Sequence, residues 1–176
     1  NKIDKIYKNN KKIFSISGSN FFNKRLKYDY FYSKYNHCWG WATWKRAWKY
    51  YDNNLTSLNK FTRSYQWKLL HENKTERRFW EKIFNRVKEK KIDSWAYVWT
   101  YCVWKKNALT IIPKKNLIKN IGFDISATNS IKNEKKHLKA YSTVFNKRLK
   151  RPPILTPWKS NDIYVFNNHF CGKYSL

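Results

Sequence analysis

Asp93 is the acid in this sequence best placed to do chemistry. It stands in Ile92-Asp93-Ser94-Trp95, at the start of a segment with helical periodicity. A carboxylate at such a point can take a proton as a general base. It can equally accept hydrogen bonds from the first turn as an N-cap, and both roles stay open. The second feature is Trp39-Gly40-Trp41-Ala42-Thr43-Trp44, three tryptophans spaced around one glycine. Without a Cβ, Gly40 lets the backbone approach a ligand closely. Trp39 and Trp41 offer flat apolar faces, and they are also candidates for the core. Trp44, Ala47, Trp48 and Tyr51 recur at helical spacing and share one face, so Trp44 and Trp48 are read as core.

Other chemistries find little support. The three cysteines (Cys38, Cys102, Cys171) form no Cys-x-x-Cys pair, which argues against a disulfide scaffold or a cysteine-rich zinc site and fits a reducing compartment. Cys38 adjoins His37, but sequence neighbours seldom face each other as nucleophile and base. His37, His71, His137 and His169 are scattered, and none is assigned to a metal. There is no phosphate-binding Gly-rich loop ending in Lys-Ser/Thr, no Gly-x-Ser-x-Gly and no His-Glu-x-x-His.

The elements that must position these residues read as α/β. Residues 12–18 predict a short strand leaving at Gly18, and alternating aromatics over 28–35 predict a second extended segment. A helix is expected from Ala42 or Thr43 to Tyr51, a second over 60–70, and a third over 75–90 with Phe79, Ile83 or Phe84, and Val87 on one stripe. A fourth is expected over 94–106, capped at Asp93-Ser94 and carrying Trp95, Trp99, Cys102 and Val103 on its apolar face. Residues 109–113 predict a strand stopped by Pro113. Residues 117–123 predict another extended piece, 131–150 a basic surface helix, 151–158 a proline-rich connector and 163–166 a last strand. So few strands suit half a sheet.

The chain has 176 residues, 38 Lys+Arg against 11 Asp+Glu, a net charge of +27 and 19% aromatics. So many aromatic residues exclude a wholly disordered chain. No run of about 18 apolar residues predicts a membrane span, and residues 1–10 have no apolar signal segment. Lys outnumbers Arg 30 to 8, and Asn, Ile, Tyr and Phe abound, so part of the charge reflects AT-rich codons. The lysines are spread along the sequence with no obvious basic stripe. A solvated lysine-rich surface is the first reading, attraction to an anionic membrane the second and nucleic-acid binding the third.

Four segments in fixed order resemble the C-terminal half of bacterial family 2-like glycosyltransferases, which have a nucleotide-diphospho-sugar transferase (GT-A) fold and are sometimes labelled hemolytic-protein-like. The segments are Ile13-Phe14-Ser15-Ile16-Ser17-Gly18, Trp39 to Trp48, Ile92-Asp93-Ser94-Trp95-Ala96-Tyr97-Val98-Trp99, and Asn116 to Asp124. Together they cover roughly residues 10–130. The resemblance implies the acceptor-side portion of a GT-A domain: a mixed sheet with flanking helices over 1–130, followed by a basic extension over 131–176. It places the nucleotide-binding half before Asn1, in keeping with the lack of any Met or Asp-x-Asp triplet.

For function, the resemblance implies transfer of a sugar from a nucleotide-diphosphate donor to a hydroxyl of a glycan acceptor, in surface glycan synthesis. Asp93 matches the family's base. Trp39, Gly40, Trp41 and Trp95 would shape the sugar pocket, and Asn120 and Gly122 would line it from the far side. A divalent metal (Mn or Mg) is expected for the complete enzyme. Two departures count against full activity here: Ala96 stands where some members carry a second acid, and Asn129 where the pattern often has His. The expectation is a cytoplasmic protein, peripheral to the inner membrane if it meets anionic lipid, with no specific nucleic-acid partner and inactive as 1–176 alone. The alternatives are a basic aromatic module that binds nucleic acid or an anionic membrane, and a decayed gene remnant.

Overall fold

The computed structural model describes residues 2–22, 26–119 and 149–170. Four strands form one mixed sheet, β1 (Ile13–Ile16), β2 (Tyr30–Ser33), β3 (Ala42–Thr43) and β4 (Leu109–Pro113), in the order β2-β4-β1-β3. β1 and β4 run parallel, and β2 and β3 are antiparallel to their neighbours. β4 lies inside the sheet and all five of its residues are buried, as expected of a Leu-Thr-Ile-Ile-Pro run covered on both faces. Pro113 has no N–H to continue the ladder.

Strand alternation divides the core in two. On one face Ile13, Tyr30, Tyr32, Leu109 and Ile111 pack with Ile3 and Tyr7 of α1 (Lys2–Tyr7). On the other, Phe14 joins a larger core built on α5 (Lys74–Lys88) and α6 (Trp95–Lys105). Residues Val98 to Trp104 of α6 are buried without a break, so this helix runs through the core. The indole N–H groups of Trp99 and Trp104 pin it to the sheet by donating to Ser15 Oγ (2.8 Å) and the Lys34 carbonyl (2.7 Å).

Several expectations need correction. Ala42 and Thr43 are strand β3, because Ser15 and Ile16 of β1 pair with them; helix α2 is only Lys45–Trp48. The helix expected over 60–70 breaks at Ser64 into α3 (Leu58–Thr62) and α4 (Tyr65–Leu70), since Ser64 Oγ accepts from the Trp67 N–H and caps a new helix. In α5 the deeply buried stripe is Trp80, Phe84 and Val87, with Phe79 and Ile83 only half-buried. Residues 163–166, expected as a strand, lie inside α7 (Lys159–Asn168), where Val165 and Phe166 enter the larger core while Ile163 and Tyr164 face out. A helix thus follows the connector and packs on the domain. Residues 117–119 form no strand, and the rest of that extended piece and the expected helix over 131–148 lie outside the described residues.

A buried polar cluster ties the helices to β2. Glu76 Oε1 lies 2.8 Å from Lys34 Nζ and 3.1 Å from His71 Nδ1, and it accepts from the Tyr35 hydroxyl. Lys34 Nζ also donates to the Leu70 carbonyl (2.9 Å). Asp162 of α7, buried, accepts from Ser33 Oγ (2.5 Å) and the Lys34 N–H (3.2 Å). A second pin is Arg46, whose guanidinium donates to the carbonyls of Tyr7, Lys8 and Ile13, joining the end of α1 to the β1 edge. Among the described residues no helix is long and apolar enough to cross a membrane.

Candidate functional site

The turn at Trp39-Gly40-Trp41 is built by the exit of β1. The Gly18 N–H donates to the Gly40 carbonyl (2.9 Å) and Ser19 Oγ to the Trp39 carbonyl (3.1 Å). Gly40 has φ +57°, a left-handed conformation that favours glycine. A Cβ at Gly40 would run into the side chain of Ile118, and one at Gly18 would come within 2.6 Å of Ile118 Cγ1. The space freed by the two glycines is therefore filled by Ile118, while Gly40 keeps its other side exposed.

The two tryptophans of the turn part company. Trp39 is half-buried with its ring centroid 6.1 Å from that of Phe21. Trp41 turns the other way and stacks on Trp95, centroids 5.0 Å apart and planes at 27°. Trp48 lies 5.9 Å from Trp41 and stacks on Tyr51 at 4.5 Å. Trp99 closes the floor beneath Trp41 and Trp48, at 6.2 Å and 5.1 Å. Trp95 is 44% exposed and Trp48 40%, so the group presents an open shelf of aromatic rings. Trp48, expected in the core, instead faces out, because the four-residue α2 covers only Ala47 fully; Trp44 is buried, but on the opposite face of the sheet with Tyr30 and Leu109. Helical spacing alone showed that Trp48 and Tyr51 share a face, but not that the face is open.

Asp93 lies at the rim of this shelf. The cap of α6 is Ser94, whose Oγ accepts from the Tyr97 N–H, and not Asp93. Asp93 is exposed, and among the described residues its carboxylate makes no hydrogen bond or ion pair. It is close enough to Tyr51 to be felt there: burial pushes the Tyr51 phenol above its ordinary value, and Cys102 and the Asp93 charge add to the push. Asp93, Trp41 and Trp95 are thus brought together, and Trp39 stands apart. Asn120, Gly122 and Asn129 lie outside the described residues.

Among the described residues no three His, Cys, Asp or Glu side chains gather where a metal could be held. A lone Asp93 does not fit a divalent cation, which needs several oxygen ligands. His37 is buried between Phe21 (4.5 Å) and His169 (5.8 Å), and burial drives it well below its ordinary value; the Cys38 thiol is raised, so neither group favours a Cys–His thiolate pair. Searches of protein-family models, curated proteins and solved structures give no match to this chain.

Proposed function

We propose that this chain supplies the acceptor side of a glycosyltransferase that moves a sugar from a nucleotide-diphosphate donor to a glycan hydroxyl. One observation carries the reading: an exposed carboxylate, Asp93, beside an open shelf of Trp41, Trp95, Trp48 and Tyr51. Indole faces offer broad apolar area at little conformational cost, and the C–H face of a sugar ring fits them. Asp93 would take the proton of the acceptor hydroxyl as its oxygen bonds to the anomeric carbon and the bond to the nucleoside diphosphate breaks. The four-segment resemblance supports the same assignment and adds a donor-binding half that this chain would work with.

The test is glycan binding read by tryptophan fluorescence. Oligosaccharides should shift the emission of the wild-type chain. Trp41→Ala and Trp95→Ala should abolish the shift, and Asp93→Asn should keep it, since the carboxylate serves proton transfer and not stacking. Joined to its donor-binding half, Asp93→Asn should lower kcat by 10²-fold or more, the usual range for a general base. An emission indifferent to every oligosaccharide tried would sink the reading.

A further inference from the structure

Folding lines up a basic stripe along α5. Lys74, Arg78, Lys82 and Arg86 follow one another at four-residue spacing along α5, and all four are exposed. Successive members stand one turn apart, so the stripe runs about 18 Å. Both acids of the same helix are turned inward. Glu76 is buried against Lys34, His71 and Tyr35, and Glu81, half-buried, accepts from Trp67 Nε1 at 2.9 Å. Among the described residues no acid pairs with any of the four cations. Like charges at this spacing weaken a helix. Codon composition can fill a chain with lysine, but it does not sort charges by face.

The neighbouring helix adds apolar surface. Trp67 of α4 packs on Phe84 of α5 and bonds to Glu81, fixing α4 against α5. On the outside of α4, Tyr65 is 73% exposed and Leu69 58%, four residues apart, with exposed Lys68 between them and exposed Lys60 and Arg63 just before. No Asp or Glu occurs from residue 53 to residue 71. A merely solvated face accounts for the cations but not for an outward Leu beside an outward Tyr.

From this arrangement we infer that the α4–α5 face docks on an anionic membrane surface. The stripe meets lipid phosphates, and Tyr65 and Leu69 enter the boundary between headgroups and acyl chains, as on amphipathic helices that lie in the interface. A nucleic acid would use the cations and leave Leu69 without a partner.

The experiment is cosedimentation of the purified chain with vesicles of phosphatidylcholine, with and without 30% phosphatidylglycerol, at about 0.1 M salt. The wild-type chain should bind the anionic vesicles and ignore the neutral ones. The variant Lys74→Gln/Arg78→Gln/Lys82→Gln/Arg86→Gln should bind at least about 100-fold more weakly, and Tyr65→Ser/Leu69→Ser about 10-fold more weakly. A control that removes the same charge elsewhere, Lys2→Gln/Lys5→Gln/Lys8→Gln/Lys11→Gln, should lose far less. Circular dichroism verifies that each variant is folded. Equal losses from the two quadruple variants would overturn the inference in favour of net charge alone. It would also fall if duplex DNA bound the stripe more tightly than the vesicles do, or if Tyr65→Ser/Leu69→Ser bound like wild type.

Discussion

Ile118 sits where a side chain on Gly40 would have to go. The same residue crowds Gly18, so one isoleucine closes two glycines that stand 22 positions apart. Gly40→Ala should therefore destabilise the chain twice over, through its φ of +57° and through the clash, by roughly 1–3 kcal/mol. Adding Ile118→Ala should return the part due to the clash and leave the part due to φ. Urea denaturation of the two single variants and the double variant checks this; simple additivity would refute the contact.

Trp95 lies on the shelf but outside the core. With 44% exposure and, among the described residues, Trp41 as its one stacking partner, Trp95→Ala should cost about 0.5–1.5 kcal/mol. Trp99→Ala, fully buried and bonded to Ser15, should cost about 3–5 kcal/mol. Comparing their denaturation midpoints separates the shelf from its floor.

Arg46 reaches three carbonyls with one planar group. Lys cannot reproduce that fork. Arg46→Lys should cost about 1–2 kcal/mol and loosen α1 from the sheet. Limited trypsin digestion should then cut earlier at Lys5 and Lys8 than in the wild-type chain.

The buried cluster predicts a shaped response to acid. Burial would raise Glu76, but the hydrogen bond from His71 and the charge of Lys34 overcome it and hold the carboxyl at about 2. Its stabilising contribution is complete above 4.5 and is lost as the pH falls toward 2. Burial lowers His71 to about 4, so the unfolded chain takes that proton first and stability falls as the pH drops from 6.5 to 4. Asp162 acts oppositely: burial raises it to about 6 despite its bond from Ser33, so stability rises as the pH falls from 6 to 3.8. Asp162 offsets His71, but burial also holds His37 and His169 below the ordinary histidine value, so stability should fall as the pH drops from 6.5, with a steeper arm below 4.5 where Glu76 adds its loss. Glu76→Gln should remove that steep arm and cost roughly 3 kcal/mol at pH 7. Urea titrations across this pH range check both.

The strands at Ile13, Tyr30 and Leu109 and the helices around Trp80 and Trp99 follow from apolar periodicity, which burial enforces. Ile163-Tyr164-Val165-Phe166 misled because a four-residue apolar run suits a strand and a buried helical turn equally. Thr43 reads locally as helix because its pairing with Ser15 is made across 28 positions, where local pattern carries no signal. For the same reason nothing near Trp41 announced Trp95 as its partner. The stripe from Lys74 to Arg86 is legible as charges at helical spacing. The inward turn of Glu76 is not, since its partners Lys34 and Tyr35 are the two residues just after β2, more than forty positions away in sequence.

Ser33 and Asp162 are separated by 129 positions, and the Trp158 N–H closes on the Tyr32 carbonyl (2.8 Å) across a similar span. During synthesis, β2 emerges well before the segment that covers its outer edge. Until α7 emerges, Tyr30 to Ser33 offers an aromatic strand edge with no cover, the kind of edge that recruits other chains. The order in which the segments emerge thus makes the docking of α7 the step that ends this exposure.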